Sequence, residues 1–212
     1  MAEQVEQAAP TAGPRKRQAR GERRMAELLD AAGQVFAESG YSAATTNAIA
    51  ARAGVSPGTL YQYFPNKDAI ADAVGGLYTA ELREVMDSVL VTMPEGMDLA
   101  GLLDRTVDPL VEYHLTHPAC IVLFVGPDSP QRLAELHQPL HDAMLERIGA
   151  LLAVLAPQVP ADQLHRSAEV AVHMFKGVLP LILAAGPDER PRYLAELKLS
   201  LTGYFGLLLN AG

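Results

Sequence analysis

The chain has 212 residues, 49% hydrophobic, with a single cysteine and a formal net charge of −8. That length suits one large or two small domains, and the lone Cys120 excludes an intrachain disulfide framework. Ala and Leu recur at helical spacing almost throughout, without sustained alternation, so an all-α protein is expected.

Charge is unevenly placed: residues 1–67 carry +2 and the remainder −10. This asymmetry fits a small module facing an anionic partner on a larger acidic body. Residues 1–20 lack apolar periodicity and are expected to form a flexible arm. It ends in a basic run that includes Arg15, Lys16, Arg17 and Arg20. Such a run is ordinarily a solvated charge segment; beside a DNA-binding motif it would reach along phosphates or into a groove.

From Gly21 a helix is expected, with Leu28, Leu29, Ala32, Val35 and Phe36 on one stripe and a stop near Ser39-Gly40. A second runs from about Thr46 to Ala53, capped by Thr45 or Thr46, and Gly54 ends it. Ser56 caps a third helix with Pro57 in its first turn, and Pro65 stops it at Phe64. Three helices within so short a span, the last two joined by a Gly-containing turn, make a helix-turn-helix. Ala50 and Gly54 are small where those two helices cross. Ser56, Thr59 and Tyr63 fall roughly on one outward face of the third helix with Gln62 beside them, opposite Leu60 and Phe64.

Further helices are expected at 67–90, 99–117, 119–125, 130–156, 161–185 and 190–209, with Ser129 and Asp162 as N-caps. Gly75-Gly76 interrupts the first of these in propensity, either as a soft point between domains or as a site of close helix packing. Pro180 is expected to kink the penultimate helix. The apolar runs at 148–156 and 178–186 are shorter than the roughly 20 residues of a membrane span. With no apolar segment near the N-terminus, a cytoplasmic protein without a membrane partner is expected.

The stretch TTNAIAARAGVSPGTLYQYFPNKDAI (45–70), with the preceding VFAESGYSAAT, resembles the DNA-binding module of the TetR family of bacterial transcriptional regulators. The pattern includes Gly40-Tyr41, Ala53-Gly54-Val55-Ser56, Gly58, Leu60-Tyr61, Tyr63-Phe64 and Lys67. The resemblance implies a helix-turn-helix domain over 21–67 and a helical ligand-binding and dimerisation domain over 68–212. It implies a homodimer on a pseudo-palindromic operator, usually a repressor, released by a small molecule. Carried over position by position, Thr46 and Lys67 become phosphate contacts, Ser56, Pro57, Thr59 and Gln62 base-edge or groove contacts, and Tyr61 and Tyr63 phosphate or base contacts. Gly58 belongs to the same surface. Pro57 departs from the polar residues common there and offers only van der Waals contact. Independently, Gln62 suits an adenine edge, and one of Tyr61 and Tyr63 is as well placed for core packing as for DNA.

The family's dimers use the last two long helices, here 161–185 and 190–209. Leu194, Leu197, Leu201, Tyr204, Leu207 and Leu208 form an apolar stripe wider than one intramolecular face requires. A pocket for a hydrophobic effector would draw on Tyr78, Met86, Tyr113, Phe124, Met144, His173 and Phe175, residue types whose ordinary role is packing. His114/His117 and His137/His141 have spacings that can place two imidazoles on one metal, but no carboxylate follows in zinc-enzyme register and Pro139 splits the second pair. No cofactor, metal or enzymatic constellation is expected. The competing class is a helical sensor of small molecules or metal acting through protein contacts, its helix-turn-helix unused for specific operators.

Overall fold

A computed structural model describes residues 14–89, 96–126 and 128–209, with side chains from residue 18 through 208. Among these, every regular element is an α-helix: α1 (Pro14–Ala43), α2 (Thr46–Arg52), α3 (Pro57–Tyr63), α4 (Lys67–Val89), α5 (Leu99–Thr116), α6 (Ala119–Phe124), α7 (Gln131–Leu155), α8 (Ala161–Ala184) and α9 (Arg190–Leu209).

Local chemistry sets these boundaries. Thr45 and Ser56 cap α2 and α3, each hydroxyl accepting an N–H three residues on at 3.1 Å. Gly40 breaks α1 internally at φ 76, and Gly54 takes φ 65 in the turn between α2 and α3. A Cβ on Gly54 would touch nothing, so its left-handed backbone, not the expected close helix crossing, requires glycine. Helix α1 starts seven residues before the expected Gly21, so Arg20 belongs to a helix and not to an arm. The expected caps Ser129 and Asp162 are replaced by Pro130 and Pro160. The Ser129 hydroxyl instead donates to the Leu123 carbonyl and pins the turn after α6. Helices α5, α7 and α8 run through Pro109, Pro139 and Pro180 without a break.

Two buried clusters result. The first joins Leu28, Ala32 and Phe36 of α1 to Ile49, Leu60 and Phe64, then continues through Ile70, Val74 and Met86 of α4 to Leu123 of α6 and Leu133 of α7. The expected domain boundary at residues 67–68 therefore crosses a continuous core. The second cluster gathers α5, α7, α8 and α9 around Leu152, Ala168, Ile182, Leu197 and Phe205. Leu60 is fully buried at the centre of the helix-turn-helix. Leu60→Ala is expected to cost about 2–5 kcal/mol, read as a lowered chemical-denaturation midpoint.

Several contacts tie α1 to the helices behind it. Gly33 lies so close to Tyr78 that an added Cβ would sit 2.3 Å from the phenol oxygen. Arg132 of α7 donates from Nε to Asp72 at 2.6 Å and from its terminal nitrogen to the Tyr41 hydroxyl at 3.2 Å. Tyr41 in turn donates to Asp68. Gly75 is buried, and a Cβ there would meet Leu133 at 3.0 Å and Leu136 at 3.4 Å, which favours close packing of α4 on α7 over a hinge.

Candidate functional site

Short helix α3 presents Pro57, Gly58, Tyr61 and Gln62 to solvent, while its Leu60 faces inward. Gln62 makes no intramolecular hydrogen bond among the described residues, leaving a donor and an acceptor for an incoming edge. Tyr61 is 51% exposed, and its hydroxyl lies 3.1 Å from that of Thr46, so the start of α2 and the second turn of α3 share one polar ridge. The Ser56 and Thr59 hydroxyls are 2.9 Å apart and jointly close the α3 cap.

The expected contacts divide. Ser56, Pro57, Gly58, Tyr61 and Gln62 are exposed together, with Thr46 and Thr59 partly so. Tyr63 packs half-buried against the first core cluster, because the helical period brings it round beside Leu60; its expected place on the outward face is corrected. Lys67 donates to the carbonyls of Tyr41 and Ser42 at 2.9 and 3.1 Å and stands 4.6 Å from the Tyr41 ring centre. It thereby closes the end of α1, with one N–H left for an external anion. Arg20 is exposed on α1. The side chains of Arg15, Lys16 and Arg17, and residues 1–13 entirely, lie outside the described residues. A fork of two hydrogen bonds from Arg52 to Glu38, at 2.9 and 2.6 Å, fixes the end of α2 against α1.

Behind this face, α4 to α9 enclose a cavity of about 130 Å³. Leu103, Val107, Leu140, Leu152 and Leu179 supply much of its wall, with Thr106, whose hydroxyl is committed to the Leu102 carbonyl at 2.8 Å. Of the expected pocket residues, Met86, Phe124, Met144 and Phe175 line it. Three do not, and are corrected. Tyr78 points at Gly33, Tyr113 donates to the Tyr78 carbonyl at 3.1 Å, and His173 faces solvent with its ring nitrogen near the Glu169 carbonyl.

The cavity has one polar corner. His114 of α5, His137 and His141 of α7, and Lys176 of α8 converge there. Burial pushes the His114 and His137 imidazoles down to about 4, so both are neutral near pH 7. It also lowers the Lys176 ammonium. Nδ1 of His114 and of His137 are buried without a hydrogen-bond partner, and leaving such a group unpaired costs about 1–3 kcal/mol. The sequence drew attention to these histidines only through their metal-like spacing; Lys176 was missed, since nothing in its local sequence separates it from a surface lysine. Among the described residues no group of three or more His, Cys, Asp or Glu is placed to hold a metal.

Comparison with known proteins agrees with both halves. Residues 28–74 match the family model "Bacterial regulatory proteins, tetR family", and residues 98–205, about half of the chain, match "Tetracyclin repressor-like, C-terminal domain". The chain belongs to the TetR family. A TetR-family structure from Streptomyces coelicolor superposes with a TM-score of 0.55 at 28% identity, covering 86% of this chain and 98% of that one. The uncharacterised HTH-type regulator YhgD of Bacillus subtilis is 29% identical over 97 residues, 46% of this chain. That match spans 49% of YhgD, about half its length. The HTH-type transcriptional repressor AcnR of Corynebacterium diphtheriae is 28% identical over 155 residues, covering 72% of this chain and 78% of AcnR. TetR-family members are helix-turn-helix transcriptional regulators with a C-terminal ligand-binding domain, a class of DNA-binding proteins and not of enzymes. They typically bind operators as dimers and respond to small molecules.

Proposed function

We propose that this chain is a non-enzymatic, cytoplasmic transcriptional repressor that binds a pseudo-palindromic operator as a homodimer and leaves it when an apolar effector fills the cavity. The observation that carries this reading is the exposed, uncommitted Gln62 beside Tyr61 on a capped α3, backed by a cavity sharing its walls with the core beneath that helix.

Dimerisation is assigned to α8 and α9, with a change of face. Leu197, Leu201 and Leu208 of the expected stripe are buried within the chain, and Leu194 and Tyr204 pack half-buried beside them. Only Leu207 of that set stands free, and Leu199, Val170 and Leu181 join it as exposed apolar residues. Gly177 and Gly203 have open space where a Cβ would be, room for a second pair of helices. By length and composition alone α8 would span a membrane, with a third of its apolar window buried in the chain. One apolar side against the core and one against a partner account for that composition.

Signal transfer would run through α6 and α7. Helix α6 lines the cavity with Ile121 and Phe124, and packs against α1 on its other side. Arg132, on α7 with His137 and Leu140, grips Asp72 and Tyr41. A guest that displaces α6 or α7 would therefore move α1, and with it the separation of the two α3 helices.

Selection of bound duplexes from random DNA tests the reading. Enrichment of a two-fold symmetric site, its half-sites about one helical turn or a multiple apart, is expected. A folded dimer that enriches no sequence would overturn it.

A further inference from the structure

We propose that the cavity takes a small amphipathic carboxylate, its anionic head at the His114–His137–His141–Lys176 corner and its hydrocarbon along the leucine-rich wall. This rests on the reading of the cavity as the effector site and adds the chemistry of the guest.

The charge inventory points to an anion. No Asp or Glu lines the cavity, although the chain carries 25 acidic residues against 17 basic ones. Lys176 forms no ion pair among the described residues; its one hydrogen bond goes from Nζ to Nδ1 of His141 at 3.3 Å. An ammonium in an apolar wall without a counter-ion is poorly satisfied until an anion arrives. Two further donors belong to residues of the same cavity wall, and the Lys176 charge acts on one of them, His137. Nδ1 of His114, a residue 9% exposed, and Nδ1 of His137 have no partner. A neutral imidazole can place its proton on that nitrogen and donate it to a carboxylate oxygen. One carboxylate thus answers the lysine's charge and the orphan nitrogens together. A cationic guest would meet Lys176 with nothing to offset the repulsion, and a hydrocarbon would leave all of these groups unsatisfied.

Size limits the tail. The cavity of about 130 Å³ is close to the roughly 150 Å³ of an engineered apolar cavity that accepts benzene. A single ring or a short chain suits it, with Met86 and Met144 able to shift around the end.

Isothermal titration of the full-length protein with octanoate, 1-octanol and octylamine, three probes with one tail, tests the assignment. Octanoate is expected to bind about tenfold or more tightly than 1-octanol, with octylamine weakest. Lys176→Met is expected to drop octanoate to the affinity of 1-octanol while leaving 1-octanol unchanged, which also reports an intact cavity. Lys176→Arg should retain octanoate. Equal binding of octanoate and 1-octanol, or an unaltered octanoate affinity in Lys176→Met, would overturn the anionic head while leaving the cavity an effector site. Failure of all three probes to bind the folded protein would overturn that reading and this one together.

Discussion

Leu199→Glu combined with Leu207→Glu is expected to yield a folded monomer with little grip on the operator. Both side chains are mostly solvated in the single chain, at 66% and 77% exposure, so removing them leaves both core clusters untouched. In a two-fold interface each substitution counts twice, so four leucines are lost and four carboxylates face one another. Burying a leucine contributes about 1.5–3 kcal/mol, and charge repulsion adds to its loss. Light scattering after size exclusion at micromolar concentration should report one chain, with an unchanged helical circular dichroism spectrum. Operator affinity should fall by about 10²–10⁴, the advantage that linking two weak half-site contacts supplies. A variant that stays dimeric would move the interface off α8 and α9.

The second large effect is Gln62→Ala. Its amide has no folded-state partner to lose, so the thermal midpoint should not move. A bidentate glutamine–adenine contact discriminates by about 1–3 kcal/mol, and with two half-sites adding, the operator should lose about 2–6 kcal/mol. Fluorescence anisotropy with the selected operator and with scrambled DNA separates the roles. Loss on the operator alone marks Gln62 as a reader of base edges. Equal loss on both would reassign it to phosphate or shape contact.

The same residues explain what the sequence did and did not disclose. Helix ends were legible where a side chain caps locally: Thr45, Ser56, Gly40 and Gly54 do what their chemistry prescribes within four residues. Caps at Ser129 and Asp162 were misplaced because Pro130 and Pro160 hold the extended ψ that precedes a helix, freeing Ser129 for a carbonyl six residues back. The exposed face of α3 was legible from spacing, except that period alone could not choose between Tyr61 and Tyr63. Their fate depends on how α3 sits against the helices beside it, which tertiary packing decides. The face of α9 was misread for a similar reason. That helix is apolar on more than one side, and only its position against α5 and α8 decides that Leu197 and Leu201 turn inward while Leu199 and Leu207 turn out. The polar corner of the cavity was least legible, since His114, His137 and Lys176 stand on three helices far apart in the chain.

The contact between Gly33 and Tyr78 carries an evolutionary consequence. A methyl group at position 33 would sit 2.3 Å from the tyrosine oxygen but 3.5 Å from the ring carbon bearing it, an ordinary van der Waals distance. Alanine at 33 thus needs the hydroxyl to shift or to be absent, and phenylalanine at 78 removes the clash. In relatives that keep this packing, the two positions should drift as a pair, Gly with Tyr and Ala with Phe. A lineage that altered position 33 first would have to shift either the Tyr78 side chain or α1 itself.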